Sequence, residues 1–193
     1  MTATLERPAA PAARDWTFAT RDGERLSLRR VTRDDAPALV DVLLRLSGRS
    51  LALRYHVPRQ LSLDDAWREA ERICAGHRGT QVALVAVAPL VRGDEIVAVA
   101  ELVPDASEPA TGHLAVVVRD DYQARGIGTA LLRHLLEDAR GGELTALRAD
   151  LLAENTAARR LLDRLGLPAA MRTRHGVVEV RAPLVTRSGT PAR

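Results

Sequence analysis

Residues 116–129 have the sequence VVVRDDYQARGIGT, in which an apolar run leads into a short turn that carries two glycines. Apolar residues then recur every four positions, and these are Ile127, Leu131, Leu135 and Ala139. Consecutive β-branched residues favour a strand, and a four-residue apolar period is typical of one face of a helix. We therefore predict a strand over His113–Val118, a tight turn, and a helix over Ile127–Ala139.

The predicted turn has the properties of an anion-binding site. The first turn of a helix leaves backbone N–H groups without partners, and the helix dipole makes that end electropositive. Gly126 and Gly128 would let an anion approach the backbone closely, and Arg125 adds a positive charge beside the turn. The sequence therefore predicts that a phosphate or pyrophosphate group binds here.

Three nucleotide-binding patterns can be compared with this turn. The dinucleotide pattern G-x-G-x-x-G requires a third glycine where the chain has Leu131, and the P-loop pattern requires a lysine, which the sequence lacks entirely. The pattern that remains is Gln-x-x-Gly-x-Gly, formed by Gln123, Gly126 and Gly128. A glycine turn with no ligand would explain two glycines alone, but the preceding strand and Arg125 favour a ligand.

This pattern resembles the pyrophosphate motif with which the GNAT superfamily of N-acetyltransferases binds acyl-coenzyme A. A second stretch is similar to a later motif of the superfamily, and its matching residues are Glu154, Asn155, Ala158, Leu161, Gly166 and Leu167. The resemblance spans Leu26–Leu184 in fold, whereas the specific residues lie within 116–132 and 150–167. It implies an acetyl-CoA-dependent N-acetyltransferase without a metal.

The resemblance also implies a set of cofactor-binding residues. They are Val116, Val117, Val118, Gln123, Ala124, Arg125, Gly126, Ile127, Gly128, Thr129, Asn155 and Arg159. For Asn155, a plain helix N-cap is the alternative interpretation, because Asn is favoured at that position without any ligand.

The rest of the chain predicts an α+β domain. We expect strands at 16–19, 25–30, 81–88, 96–103, 145–152, 171–175 and 177–184, and further helices at 34–46, from Ser62 onward, and at 156–165. Short connections between most strands favour a single GNAT-type domain over residues 16–185, with a mixed, mostly antiparallel sheet flanked by helices. By the resemblance, the cofactor lies in a cleft between two splayed central strands. Residues 1–15 and 186–193 are predicted to be flexible tails.

Composition narrows the class of protein. Among 193 residues there is no apolar run long enough to span a membrane and no secretory signal, so we expect a cytoplasmic protein that does not bind membranes. The single cysteine, Cys74, excludes an intrachain disulfide and a cysteine-based zinc site. All 28 basic residues are arginine, which indicates a GC-rich bacterial genome. Since the net charge is only +3 and aromatic residues make up 3%, no nucleic-acid surface is expected.

The catalytic groups are less well defined by the sequence. The family mechanism implies direct attack by an amine, with backbone N–H groups near 116–118 holding the oxyanion, and an amine that is protonated at neutral pH needs a base. Glu101 and His113 are the two candidates, and neither excludes the other. His113 aligns with a glutamate of the superfamily's protein-lysine acetyltransferases. The usual tyrosine acid is replaced by Leu162.

Several functions fit these features. Residues 49–56 and 60–62 resemble the GNAT domain of bacterial protein-lysine acetyltransferases, so the first hypothesis is acetyl transfer to a protein lysine or a small amine. An acyl-CoA-binding regulatory module with little or no turnover is the alternative, favoured by Leu162 in place of the tyrosine and by His113 in place of the glutamate. Acetylation of protein N-termini is a third possibility. The family resemblance also allows a homodimer.

Overall fold

The computed structural model describes residues 16–75, 81–90, 93–140 and 142–184, so both predicted tails lie outside the described residues. The strands are β1 (Trp16–Ala19), β2 (Arg25–Arg30), β3 (Val82–Leu90), β4 (Gly93–Pro104), β5 (Thr111–Val118), β6 (Ala146–Leu152), β7 (Ala170–Arg174) and β8 (Val177–Pro183). The helices are α1 (Ala36–Leu44), α2 (Gly48–Tyr55), α3 (Leu63–Ala75), α4 (Ile127–Ala139) and α5 (Thr156–Leu165). Short 3-10 turns cover 33–35 and 120–122.

The strands form one sheet in the order β1-β2-β3-β4-β5-β6-β8-β7. Every neighbouring pair is antiparallel except β5 and β6, which run parallel. This confirms the predicted mixed, mostly antiparallel sheet flanked by helices.

The parallel pair β5–β6 opens along its length. Only Thr111–His113 pair with Ala146–Arg148, and among the described residues no further pairing joins the two strands. Beyond His113, the edge of β5 that is opposite β4 therefore faces a gap rather than a partner strand. The two splayed central strands of the sequence prediction are present at this gap.

Helices cover the two faces of the sheet. On one face, α1, α2 and α3 pack over β3 and β4, and Val99 and Val117 belong to this core. On the other face, α4 packs with its stripe fully buried, as its four-residue period predicted. A smaller cluster joins Leu162 of α5 to Leu151 of β6.

The structure contains a helix that the sequence did not predict. In α2, only Leu51 is buried, so the helix has no apolar stripe for a sequence pattern to detect. A contact between near neighbours in sequence starts the helix: the Ser47 hydroxyl, as the N-cap, accepts a hydrogen bond from the Ser50 amide. The helix ends at His56, which has a left-handed conformation. The predicted helix from Ser62 is present as α3, with Ser62 and Asp65 bonded as a capping box.

Candidate active site

The turn before α4 presents backbone N–H groups without partners. The N–H groups of Thr129 and Ala130 both donate to the carbonyl of Gly126, and no side chain caps the helix. Within the described parts of the chain, the amides of Ile127 and Gly128 have no acceptor. The start of α4 therefore has the free donors that an anion requires.

The two glycines of the turn are required for different reasons. Gly126 has a φ of +94°, a left-handed conformation that side chains disfavour. At Gly128 the constraint is packing, because a Cβ would lie 2.7 Å from Cδ1 of Leu161 on α5. Gly126 thus shapes the turn, and Gly128 lets α4 approach α5.

Gln123 holds the turn to its surroundings. Its side-chain amide donates to the hydroxyl of Ser50 and to the carbonyl of Val118, both at 3.1 Å. The next residue, Ala124, has a φ of +61°. The predicted cofactor residue Gln123 therefore links the end of β5 to α2 in this structure.

Arg125 lies beside the turn but is engaged elsewhere. Its guanidinium donates to Glu24 at 3.0 Å and lies 3.1 Å from the carboxylate of Asp22. A second nitrogen donates to the carbonyl of Asp121, and the group stacks over the ring of Tyr122. The charge of Arg125 is thus largely balanced by the β1–β2 hairpin.

A cavity of about 380 Å³ lies between β5, the turn, α2 and α5. All of the predicted cofactor residues line it except Arg125 and Arg159. On α5, the structure instead places Arg160 and Arg164 at the cavity, while Arg159 is exposed outside it. We call this space the cofactor cavity.

The cofactor cavity is positively charged. Arg21, Arg160 and Arg164 line it, and none of the three makes an ion pair with a described residue. The guanidinium of Arg21 donates to the carbonyl of Ala124, at 3.2 Å. The sequence did not predict these residues, because whether an arginine has an acidic partner depends on its neighbours in the fold.

The main chain of β5 alternates between β4 and the gap. The N–H of Arg119 donates to the carbonyl of Val97 on β4. Since N–H and C=O groups alternate in direction along a strand, those of Val118 and Val116 point to the opposite edge, and those of Val117 point to β4. Val116 and Val118 therefore offer main-chain groups to a ligand in the gap.

Asn155 is the N-cap of α5, and its side-chain oxygen accepts a hydrogen bond from the Ala158 amide at 3.0 Å. The capping interpretation is thus realised. The side chain also lines the cofactor cavity, and its amide nitrogen has no partner among the residues that the structure describes. Capping with the oxygen leaves the nitrogen available to a ligand.

A second cavity, of about 520 Å³, adjoins the first. We call it the acceptor cavity. The two cavities share the residues Leu53, Arg54, Val116, Asn155, Ala158 and Leu161. Both base candidates, Glu101 and His113, line the acceptor cavity. The structure therefore joins the predicted cofactor residues and the predicted catalytic residues into one continuous cleft.

Glu101 is buried within a network of arginines. Arg72 donates to both of its oxygens, at 3.0 and 2.7 Å, and Arg54 donates at 3.1 Å. The hydrogen bonds that Arg72 donates to the carboxylate of Glu69, together with those it donates to Glu101, raise the pKa of Arg72 further above its ordinary value. Both carboxylate oxygens of Glu101 are therefore engaged by guanidinium groups.

His113 has a different environment. Its Nε2 lies 2.7 Å from the carboxylate of Asp105, and 39% of its side chain is exposed. Hydrogen bonds from the hydroxyl and the amide of Ser107, and from His113, hold the pKa of Asp105 well below its usual range. A carboxylate on one ring nitrogen orients the imidazole and leaves the other nitrogen for proton transfer.

Tyrosine side chains near the cleft were not predicted as functional. Tyr55, at the end of α2, lines the acceptor cavity, and its hydroxyl is buried without a partner among the described residues. Tyr122 lines the cofactor cavity, but its hydroxyl points to Glu24. Leu162, at the position of the expected tyrosine acid, is buried against the acceptor cavity.

Other chemistry finds little support. Cys74 is buried on α3 outside both cavities, and burial raises the pKa of its thiol to about 11, so it is a weak nucleophile. The described residues contain no cluster of side chains that could hold a metal ion. No helix within them is long and apolar enough to cross a bilayer.

Known proteins share this fold. The GNAT domain of S. lividans PAT superposes with a TM-score of 0.74 at 25% identity, over 88% of this chain and 96% of that one. The structure of yncA from Salmonella typhimurium, with acetyl-CoA, has a TM-score of 0.61 at 18% identity, over 87% of this chain and 99% of that one. The latter similarity concerns the fold.

The sequence also matches a curated relative and a family model. It is 35% identical over 71 residues to the acetyltransferase Pat of Mycolicibacterium smegmatis, a stretch that covers 37% of this chain and only 21% of the relative. The model of the acetyltransferase (GNAT) family matches residues 50–167, which include the turn, α4 and α5. The chain therefore belongs to the acetyltransferase (GNAT) family, as the sequence predicted.

Proposed function

We propose that the protein transfers an acetyl group from acetyl-CoA to a primary amine, on a protein lysine or a small molecule, by direct attack. The observation that carries this proposal is the meeting of two cavities at the gap between β5 and β6. One cavity has free amides and unpaired arginines, and the other has an oriented histidine. This arrangement supports an anion site at one end of the cleft and a proton acceptor at the other.

The cofactor cavity fits the phosphate groups and the arm of acetyl-CoA. The amides of Ile127 and Gly128 bind the pyrophosphate, with Arg160 and Arg164 adding positive charge. The main chain of Val116 and the amide nitrogen of Asn155 hold the arm and the thioester. Acetyl-CoA supplies the acetyl group as a thioester, and a backbone N–H of β5 stabilises negative charge on its oxygen.

His113 acts as the base in this proposal. The free ring nitrogen takes the proton of the acceptor ammonium, directly or through water, while Asp105 holds the ring. The neutral amine nitrogen then bonds to the acetyl carbon, the carbon–sulfur bond breaks, and the nitrogen releases its second proton to solvent to give the neutral amide. Since Leu162 cannot donate a proton, the sulfur leaves as a thiolate and is protonated from solvent. Glu101 keeps Arg54 and Arg72 in place.

The test begins with ligand binding. Thermal unfolding is measured with acetyl-CoA, CoA, NAD and ATP, and we expect stabilisation by the first two alone. Turnover is then measured as amine-dependent release of free CoA thiol with lysine peptides, polyamines and amino acids. Because the chain has no lysine, it cannot serve as its own lysine acceptor. Stabilisation by NAD or ATP alone would overturn the proposal.

The alternative function is an acyl-CoA-binding regulatory module. Two observations favour it: Leu162 occupies the acid position, and Glu101 is bonded to two arginines. Under this alternative, CoA stabilises the protein while no amine in the panel releases CoA. Release with any acceptor at a rate that His113→Ala abolishes supports the enzyme instead.

A further inference from the structure

We propose that Asp120 is a positioning residue, which fixes α2 against the turn before α4 and so sets the geometry of both cavities. Asp120 lines neither cavity, so it acts only through its neighbours. The identity of the two ligands rests on the proposed function, whereas the placement of α2 does not.

The α2 helix spans the cleft from end to end. Near its start, Ser50 lines the cofactor cavity. At its end, Tyr55 and His56 line the acceptor cavity, and Leu53 and Arg54 line both. A shift of this one helix would therefore change both binding sites together.

Apolar packing fixes α2 only weakly. Of its eight residues only Leu51 is buried, whereas α4 buries seven of thirteen. Most helical stability in proteins comes from the burial of an apolar face, so a helix with one buried residue depends on other contacts. For α2 these contacts are polar.

Asp120 supplies the polar contacts at the start of α2. Its carboxylate accepts hydrogen bonds from the amide of Ser47 at 2.9 Å, from the hydroxyl of Ser47 at 2.7 Å, and from the hydroxyl of Ser50 at 2.9 Å. Partial burial opposes its ionisation, but these hydrogen bonds outweigh burial and keep the pKa of Asp120 below its usual value. Hydrogen bonds to a charged group are stronger than those between neutral groups.

The contacts continue to the edge of β5. Ser50, held by Asp120, accepts a hydrogen bond from Gln123, which also donates to the carbonyl of Val118. One chain of hydrogen bonds therefore joins α2, the turn and the strand edge at the cofactor cavity. Breaking it at Asp120 releases α2 from the side that binds the phosphates.

A pair of substitutions at Ser47 tests this anchor without touching either cavity. Ser47→Asn keeps an N-cap oxygen and places an amide donor toward Asp120, while Ser47→Asp keeps the cap but sets two carboxylates together. We expect Ser47→Asn to bind CoA as the wild type does. We expect Ser47→Asp to weaken CoA binding and raise the KM for the acceptor, each by on the order of tenfold.

Asp120→Asn is the direct variant, and Asp121→Asn is its control because it makes the same charge change one residue away. The measurements are CoA affinity by calorimetry, KM and kcat for the acceptor, and hydrogen exchange of the amides of 48–55, all well below the melting temperature. We expect Asp120→Asn to weaken CoA binding about tenfold and to speed exchange in α2 but not in α4.

The outcomes separate the two proposals. If the wild type fails to bind CoA, the proposed function is wrong, and the exchange of α2 still decides the role of Asp120. Unchanged exchange in α2 with Asp120→Asn overturns the positioning role. If the wild type binds CoA, faster exchange in Asp120→Asn without a change in CoA affinity or in the KM for the acceptor also overturns this role.

Discussion

The two cavities of the cleft share lining residues, but they differ in whether their arginines are paired with carboxylates. In the cofactor cavity, Arg21, Arg160 and Arg164 have no acidic partner among the described residues. In the acceptor cavity, Arg54 and Arg72 are matched by the carboxylates of Glu69 and Glu101. The charge of an unpaired arginine is available to bind an anion, whereas an arginine paired with a carboxylate lines the cavity without adding net charge.

This difference indicates how charge is divided between the two halves of the reaction. Under the proposed function, the excess positive charge lies where the phosphates would bind, and the balanced network lies where a cationic amine would lose a proton. A positive acceptor cavity would repel such an ammonium group, and the pairing of Arg54 and Arg72 with carboxylates avoids this repulsion. Each prediction below tests one half of the cleft.

The largest effect is expected at the base. His113→Ala should lower kcat by about 10²- to 10⁴-fold, the usual contribution of a general base, while CoA affinity stays the same. The rate of CoA release with a saturating amine measures this. His175→Ala, in the turn between β7 and β8, is the control. A full rate in His113→Ala together with a loss in Glu101→Gln would assign the base to Glu101.

The next effect is expected at the start of α4. Gly128→Ala places a Cβ 2.7 Å from Cδ1 of Leu161, so the Leu161 side chain must shift where it lines both cavities, and we expect CoA affinity to fall roughly tenfold. Gly48→Ala is the matched control, because its Cβ would meet no heavy atom within 4 Å. Adding Leu161→Ala to Gly128→Ala should restore part of the affinity in calorimetry. Failure of this rescue would show that the packing argument is wrong.

The charge network of the acceptor cavity should contribute to stability. Removing a charged hydrogen-bond partner from Arg72 with Glu69→Gln should lower the free energy of unfolding by about 1–3 kcal/mol at pH 7. Glu71→Gln, exposed on the same helix, is the control. Urea unfolding measures both, and equal stability of the two variants would count against the network.

The same network predicts a pH dependence. Burial raises the pKa of Glu69, but the hydrogen bond and charge of Arg72 outweigh burial, so the folded-state pKa lies below the ordinary value of 4.5. Its stabilisation is therefore present above the unfolded-state pKa and is lost as the pH falls through the folded-state pKa. Unfolding curves measured between pH 7 and pH 3 should show that the free energy of unfolding falls less on acidification in Glu69→Gln than in the wild type.

The unpaired arginines should give a smaller effect, because exposed charges are screened by solvent. We expect the double variant Arg160→Gln and Arg164→Gln to bind CoA about three- to tenfold more weakly, with a weaker dependence on salt concentration. Arg159→Gln is the control, since Arg159 lies on the same helix outside the cavity. If Arg159→Gln has the larger effect, the residue assignment on α5 is wrong.

The smallest effect is expected for Tyr55→Phe. Its hydroxyl is buried without a partner in the described structure, so removing it should leave stability unchanged or raise it by up to about 1 kcal/mol. Thermal unfolding and acceptor KM are measured together. A rise in KM without a loss of stability would show that the hydroxyl contacts the acceptor.

The sequence predicted the turn and the helix α4, but it did not predict the side-chain contacts between distant parts of the chain. The turn and α4 are local, because their glycines and apolar period lie within about twenty residues of one another. The network around Glu101 was not predictable, because Arg54 and Arg72 are 47 and 29 residues away and meet it only in the fold. The sequence predicted a cofactor role for Arg159, whereas the neighbouring Arg160 lines the cavity, and one position on a helix is a rotation of about 100°.

The short pairing of β5 with β6 gives the cleft a fixed depth. The gap runs from Val118, beside the start of α4, to His113, where the strands meet again. Five residue steps along a strand correspond to roughly 17 Å. Under the proposed function, the last paired residues would limit how far a thioester arm can enter, so only an arm that matches this length would bring its acyl carbon to His113.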